Sequence, residues 1–366
     1  MDPSAGIAAL LAQAQAAPDA LGRDGWAALL AADGPADRAA LHAAAYAVKR
    51  REVGPVIRPR GLVEISNLCA RNCRYCGIRR DNRDVERYQL GTDEIVAAAR
   101  DVHAAGYGSL VLQAGERRDP AFVEYVTGAL AAVHAATGGA LGVTLSVGEQ
   151  AAVVYRRWRE AGAHPYLLRI ETTHRGLFGA LHPADQGWDE RAACLDRLRA
   201  AGYQVGTGVL IGLPDQTAAH LADDLLFLRD RDVDMIGMGP FVPHDGTPLA
   251  DVACAPSRQL DLGLAMIACA RLLLPDANIA ATTALEALDP DGRRRGLLAG
   301  ANVVMPNHTP ARVRGAYDLY RGKPAADDPR AALVALAEAI GESVGWGDRG
   351  DSPRWERRSR TVGDPL

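Results

Sequence analysis

From Gly61 onward the chain alternates short runs rich in Leu and β-branched residues with amphipathic stretches that close on glycine. The closures stand out at Ala105-Gly106, Ala161-Gly162, Ala201-Gly202 and Ala299-Gly300, each followed within a few residues by a new apolar run. Glycine suits the left-handed conformation that ends many helices, so the pattern predicts helix, turn and strand, repeated. The candidate strands are 62–66, 109–113, 142–147, 166–171, 205–211, 235–239, 279–283 and 302–305. Eight strands alternating with helices, without a long structureless gap, predict an α/β fold: a closed parallel (β/α)8 TIM barrel rather than an open doubly wound sheet.

Before the barrel the chain is Ala-rich, with Leu10, Leu11, Trp26, Leu29 and Leu30 at helical spacing, which predicts a supporting helical extension. The division expected is 1–56 for this extension, 57–345 for the barrel and 346–366 for a tail. That tail is charged and rich in turn formers, and is expected to be solvated.

The 366 residues are 48% hydrophobic and 23% charged, which excludes disorder and collagen. With 41 basic against 45 acidic side chains, a formal charge of −4, the chain offers no clustered cationic footprint for nucleic acid. The cations are almost all Arg, with Lys only at Lys49 and Lys323. No basic segment precedes the first apolar run, and Arg271 interrupts the apolar stretch 262–274, so neither a secretory signal nor a membrane span is predicted. The expected compartment is the cytoplasm.

Six cysteines are spread unevenly: Cys69, Cys73 and Cys76 are bunched, whereas Cys194, Cys254 and Cys269 are scattered. Without an export signal, bunching points to metal ligation and not to a disulfide framework. The motif Cys69-Ala-Arg-Asn-Cys73-Arg-Tyr-Cys76 follows the first predicted strand directly, at the barrel end where such folds keep their chemistry. Three thiolates on one short loop can hold three irons of a cubane and leave the fourth open. A closed zinc site wants four ligands, and no second knuckle exists here, so iron and sulfide are favoured over zinc.

Polar side chains at i and i+2 near the upper end of a barrel strand face the lumen together. Thr144 and Ser146 form one such pair, and Arg169 and Glu171 another. The latter two can pair with each other or reach polar atoms of a cofactor or substrate, and a lumen position favours the second. In Gln113-Ala114-Gly115-Glu116 a glycine permits close backbone approach to a bound group. Gly206, Gly208, Gly212, Gly237 and Gly239 thin the wall of the fifth and sixth strands. Thr282 and Thr283 are expected to end the seventh strand. Arg191, alone on a predicted helix, reads as a solvated side chain, and His244 and His308 read as loop residues near the mouth as readily as acid-base groups.

The CxxxCxxC spacing with Tyr75 before its last cysteine resembles the signature of the radical S-adenosylmethionine superfamily. That resemblance implies a 4Fe-4S cluster on Cys69, Cys73 and Cys76 whose open iron binds S-adenosylmethionine, and reductive cleavage to a 5′-deoxyadenosyl radical in a dry lumen. Further segments extend the likeness over nearly the whole barrel to the maturases of FeFe-hydrogenase, the HydE family. They are Cys76-Gly-Ile-Arg-Arg-Asp-Asn82, Val111-Leu-Gln-Ala-Gly-Glu116, Thr144-Leu-Ser-Val-Gly-Glu149, Tyr166-Leu-Leu-Arg-Ile-Glu-Thr172, Gly212-Leu-Pro-Asp-Gln-Thr217, Ile236-Gly-Met-Gly-Pro-Phe241, Ala281-Thr-Thr283, Met305-Pro-Asn307 and Tyr317-Asp-Leu-Tyr320.

Carried over by position, the resemblance implies cofactor contacts from Tyr75, Gln113, Gly115, Glu116, Ser146, Arg169, Glu171 and Leu210, with Arg191 on the methionine carboxylate. It implies substrate contacts from Thr144, Arg169, Thr282, Thr283, Tyr317 and Tyr320. The substrate it implies is organometallic, an iron-bound cysteine carrying carbon monoxide and cyanide, attacked at sulfur. Partner maturases and an electron donor such as ferredoxin or flavodoxin are implied with it. Departures from the family pattern are Ala114 where Ser is common, Leu181-His182-Pro183 for Leu-Arg-Pro, and no cysteine after Cys269 for a second cluster.

Two rivals share the fold. Biotin synthase needs further lumen cysteines, whereas Cys194 and Cys269 are expected on outer helices. A mutase like methylornithine synthase would want more lumen carboxylates than the sequence places there. A third reading, a non-catalytic iron-sulfur carrier, would have no use for Arg169, Glu171 and Gln113 around a cofactor.

Overall fold

A computed structural model describes residues 3–323 and 329–362. Twelve strands are present in this part of the chain: β1 (Val56–Pro59), β2 (Gly61–Ser66), β3 (Ser109–Ala114), β4 (Gly142–Ser146), β5 (Ala163–Leu167), β6 (Gln204–Thr207), β7 (Leu210–Ile211), β8 (Met235–Ile236), β9 (Gly239–Pro240), β10 (Asn278–Ile279), β11 (Val303–Val304) and β12 (Ser343–Val344). Seven of them form one parallel sheet in the order β10-β8-β6-β5-β4-β3-β2. Each parallel step needs a crossover, and the helices that supply it cover the outer face.

The curled sheet is joined into a ring by the segment around β11. On one side Ala280 bridges Val303, and on the other Leu62 bridges Asn307, with the Leu62 amide donating to Pro306 O at 2.8 Å and the His308 amide to Leu62 O at 2.7 Å. β1 extends the first barrel strand downward and pairs with β11 and β12. β7 and β9 continue β6 and β8 after a break at Gly208 and Gly237, where the strands lie so close that a Cβ on Gly208 would fall 2.2 Å from Gly237 O.

The glycine closures behave as expected, with φ of +88°, +102°, +80° and +113° at Gly106, Gly162, Gly202 and Gly300. The N-terminal helices Pro3–Ala16, Gly22–Leu30 and Pro35–Glu52 bury Trp26, Leu29, Leu30 and Leu41 in one core cluster with Leu264, Ile267 and Leu272 of the helix Pro256–Leu273. A second cluster lies between β2–β6 and their helices, around Phe122, Leu130, Leu145 and Trp158.

Three expectations shift. The fourth strand ends at Leu167 and not at 171, because Glu171 adopts φ +67°, outside the extended region. Arg169 and Glu171 therefore stand on the mouth segment above the strand, and Glu171 joins its neighbour only through a bridge to Val209. Thr282 and Thr283 do not end a strand: Thr282 takes the N-cap position, without a side-chain bond to the helix, and Thr283 begins the helix Thr283–Leu288.

The tail is not a solvated extension. Gly350 O accepts from Arg60 Nη2 and Asn278 Nδ2, both at 2.6 Å, while Gln204 Nε2 donates to Asp351 Oδ1 and Gln204 Oε1 accepts from the Ser352 amide, both at 2.9 Å. The helix Pro353–Val362 then buries Trp355. Buried donors at the lower barrel end find acceptors in this segment, so charged and turn-forming composition here serves docking. Among the described residues no helix is long and apolar enough to cross a membrane.

Candidate active site

At the carboxyl ends of the strands a cavity of about 220 Å³ is lined by the bunched cysteines and by most of the polar residues picked from the sequence. Cys69, Cys73 and Cys76 stand on the loop that leaves β2, with Tyr75 beside them. β3 contributes Gln113, Gly115 and Glu116, β4 contributes Ser146, and the segment above β5 contributes Arg169 and Glu171. Leu210, Arg191, Tyr317 and Tyr320 complete the match.

The cysteine loop is fastened to the barrel through its backbone. The Ala70 amide donates to Glu116 O at 2.8 Å and the Gly77 amide to Leu319 O at 3.0 Å. Gly115 is required by this fit: a Cβ there would fall 2.4 Å from Leu68 O and 2.8 Å from Cys69 Cβ. Burial pushes the Cys76 thiol up to about 12, and nearby Cys69 adds to it; Cys73 is raised by burial and by both other cysteines. The thiols are thus neighbours that hold their protons until a metal displaces them. Among the described residues no three His, Cys, Asp or Glu side chains close around a single ion. Three sulfur donors around a wide mouth, with Gln186 Oε1 3.7 Å from Cys73 Sγ, form a soft donor set suited to a cluster of metal ions.

Arg191 departs furthest from its sequence reading. It lies on the helix Trp188–Ala200 but turns inward and is only 7% exposed, its Nε 2.5 Å from Glu149 Oε1 and its Nη2 3.3 Å from Glu116 Oε2. Burial would lower its guanidinium pKa, and the two carboxylates outweigh burial and raise it. His182 beside it is pushed down to about 3 by burial and then by Arg191, so this imidazole is neutral. Its Nε2 lies 3.4 Å from the Tyr75 hydroxyl.

Arg169 and Glu171 do pair, Nη2 to Oε2 at 2.9 Å. They also line the cavity, and among the described residues Arg169 Nε has no hydrogen-bond partner, which leaves a cationic donor for a ligand. Tyr320 bonds through its hydroxyl to Thr283 Oγ1, so Thr283 reaches the cavity only through that ring.

Other selected residues fall elsewhere. Thr144 sits a layer lower, accepting from Arg60 Nη1 at 3.2 Å and lining a separate small apolar space with Val111 and Met235, because i and i+2 on a steep strand differ in depth. Thr282 packs against Gly239, where its Oγ1 would meet a Cβ at 2.6 Å. His244 is held by Asp318 at 3.0 Å and the Gly246 amide, and His308 packs edge-on against Tyr107; neither lines the cavity. Cys194 and Cys269 are buried on helices, and Cys254 accepts from Gln259 Nε2 at 2.7 Å.

Sequence reasoning missed four residues. Arg71 and Glu149 belong to the Arg191 network, with Arg71 Nε 2.5 Å from Glu116 Oε1 and Nη2 3.0 Å from Glu149 Oε2. Glu64 on β2 is a lumen carboxylate, in register with Gln113 on β3, and Lys323 Nζ lies 2.5 Å from its Oε1. The alternation along 61–66 could have shown Glu64 facing Gln113's side, but its partner is far away in sequence.

Comparison with known proteins agrees with this geometry. The profile of the Radical SAM superfamily matches residues 63–228. The FeFe hydrogenase maturase subunit HydE of Thermotoga maritima is 42% identical over 85% of this chain and 88% of its own. Biotin synthase of Acidothermus cellulolyticus is 29% identical over 82% and 84%, and 3-methylornithine synthase of Methanosarcina acetivorans 27% over 76% and 77%. In structure the chain superposes on methylornithine synthase with a TM-score of 0.78 at 24% identity, covering 92% of this chain and 98% of the other. The FeFe-hydrogenase maturase HydG of Carboxydothermus hydrogenoformans also gives 0.78, at 19% identity, covering 94% and 80%. The chain belongs to the radical S-adenosylmethionine superfamily and, within it, to the family of the FeFe-hydrogenase maturase HydE.

Proposed function

We propose that this enzyme acts as a HydE-type maturase, on the sulfur of an iron-bound cysteine that carries carbon monoxide and cyanide, in the assembly of the diiron part of the hydrogenase H-cluster. The observation that supports this reading best is the single cavity shared by the three cysteines, the Arg191 network and the Arg169–Glu171 pair. Residues 57–345 would be the catalytic barrel, and the expected setting is the cytoplasm, with partner maturases and a ferredoxin or flavodoxin as electron source.

Cys69, Cys73 and Cys76 would hold a 4Fe-4S cluster. When bound, that cluster supplies the electron that cleaves S-adenosylmethionine to a 5′-deoxyadenosyl radical. Arg191 offers a buried cation for the methionine carboxylate, and Gln113 with the backbone at Gly115 offers acceptors for its ammonium. Arg169 and Glu171 stand where a ribose or a substrate carboxylate would be oriented. Tyr317 and Tyr320 cover the cavity and keep water from the reacting atoms.

A specific observation bears on the mutase reading. Glu64 is the lumen carboxylate an ammonium substrate would want, but Lys323, Asn307 and Thr309 already satisfy it. The experiment is anaerobic reconstitution with iron and sulfide, followed by assay of 5′-deoxyadenosine with dithionite, with and without the synthetic iron–cysteine–carbonyl–cyanide complex. Turnover stimulated by the complex, with an adenosylated sulfur product, is expected. Cleavage without stimulation would send the substrate search to amino acids, and no cleavage would favour a cluster carrier. Cys73→Ala is expected to abolish deoxyadenosine formation.

A further inference from the structure

Arg71 occupies a spacer position between Cys69 and Cys73, and nothing in the motif calls for a cation there. Its side chain nevertheless turns inward, 13% exposed, and closes a ring of alternating charge. Arg71 Nε meets Glu116 Oε1 at 2.5 Å, Glu116 Oε2 meets Arg191 Nη2 at 3.3 Å, Arg191 Nε meets Glu149 Oε1 at 2.5 Å, and Glu149 Oε2 meets Arg71 Nη2 at 3.0 Å. Arg118 reaches both carboxylates from the rim, pairing with Glu149 Oε2 and lying 3.9 Å from Glu116 Oε1, with 43% of its side chain in solvent.

Charges removed from water act on one another strongly, so the sum around this ring matters more than it would at a surface. Three guanidinium groups, with Arg118 partly in solvent, face two carboxylates, which leaves the network one cation in surplus. Without Arg71 the two carboxylates would be balanced only by Arg191 and the water-screened Arg118, so the charge of Arg191 would be taken up within the network. Glu116 has little room to swing aside, because Gly148 packs so close that a Cβ there would fall 2.2 Å from Glu116 Cγ. The loop itself does not depend on this side chain for its hydrogen bonds: the Arg71 amide lies 3.4 Å from Cys69 Sγ, and Arg71 O accepts from the Arg80 amide at 2.8 Å.

We infer that Arg71 is a positioning residue that, together with Arg118, offsets the Glu116–Glu149 pair, so that Arg191 presents an available cation to an anionic group of the cofactor. The inference rests on cofactor binding by this family, and not on which substrate is consumed.

The test is S-adenosylmethionine binding to reconstituted protein, read from the cofactor-induced change in the cluster's EPR spectrum, with iron content and melting temperature measured alongside. R71Q is expected to bind about tenfold or more weakly with unchanged iron content, as loss of one buried charge partner implies. R71K, which keeps the charge, is expected to retain most of the affinity. Adding E149Q to R71Q removes one carboxylate, restores the surplus cation of the wild type and is expected to bring affinity back to within about threefold of it. A double variant as weak as R71Q, or an R71Q that binds like wild type, overturns the inference. So does an R71Q that loses iron, since the side chain would then be holding the loop. Wild-type protein that fails to bind the cofactor overturns the cofactor reading as well, which separates the two failures.

Discussion

Arg169 and Glu171 close on each other, Nη2 to Oε2 at 2.9 Å, above a strand whose last residue is Leu167. The backbone of Glu171 permits this contact by entering the left-handed region at φ +67°, where a non-glycine residue is strained by about 1–3 kcal/mol. Two hydrogen bonds hold it there, from the Glu171 amide to Gly208 O at 3.1 Å and from the Leu210 amide to Glu171 O at 2.9 Å. A strained carboxylate that lines the cavity and pairs with an incompletely bonded guanidinium is arranged for a ligand rather than for stability.

Glu171→Ala is therefore expected to weaken S-adenosylmethionine binding by about tenfold to a hundredfold, the loss of one charge-assisted contact or two. Iron content after reconstitution should stay at the wild-type level. The measurement is cofactor affinity beside iron per chain, and loss of iron together with affinity would assign Glu171 to holding the fold of the mouth.

The cysteine loop is fitted against Gly115 without room for a methyl group, as the 2.4 Å approach to Leu68 O shows. Gly115→Ala should displace the loop that carries Cys69 and lower iron retention, read as iron per chain and as absorbance near the visible charge-transfer bands. Gly128 is the control, because it lies within the helix Pro120–Thr137 and a Cβ there meets nothing within 4 Å. Gly128→Ala should raise stability by about 1 kcal/mol with iron unchanged.

The barrel and the cysteine site were legible because both are written locally. Short Leu-rich and β-branched runs and glycine closures recur along the chain, and the three cysteines with Tyr75 sit within eight residues. What was not legible depends on contacts between distant segments. Arg191 looks solvated on its own helix, and only the fold brings Glu116 and Glu149 beneath it. The tail looks solvated by composition, yet Arg60 and Asn278 need the Gly350 carbonyl. Thr144 follows the strand alternation correctly, but alternation gives a face and not a depth. The left-handed turn at Glu171 has no mark in sequence at all, since glycine is the residue expected there.

Lys323 Nζ reaches Glu64 Oε1 at 2.5 Å and also donates to Tyr317 O at 2.7 Å, tying the cavity-covering segment to β2. Glu64 is 1% exposed, and burial raises its pKa even though Lys323 lowers it. Lys323→Met leaves a buried carboxyl without its cation and should cost about 3–5 kcal/mol. Adding Glu64→Met should recover much of that loss, because an apolar pair removes the uncompensated charge. Urea unfolding of the three proteins checks this; equal losses in the single and double variants would mean that packing by the Lys stem, and not charge pairing, holds the segment.

Asp224 lies on the helix Ala218–Asp230 and holds the turn just after Glu171, its Oδ1 accepting from the Thr173 amide at 2.7 Å and Thr173 Oγ1 at 2.6 Å. Burial pushes its carboxyl up from 3.8 to about 7; the Thr173 bonds oppose this and neighbouring Asp223 adds to it. Between these values the folded protein keeps a proton that the unfolded chain has released, so stability falls as pH rises. The contribution is fully present below about 4 and is lost as pH climbs through about 7, with an upper bound of roughly 4 kcal/mol. Asp224→Asn keeps an acceptor for Thr173 without the titration. It should match wild type most closely in urea unfolding below about pH 4 and exceed it by a margin that widens up to about pH 7. A gap between the two proteins that stays constant, or that closes as pH rises, would show that Asp224 is ionised in the folded state across this range.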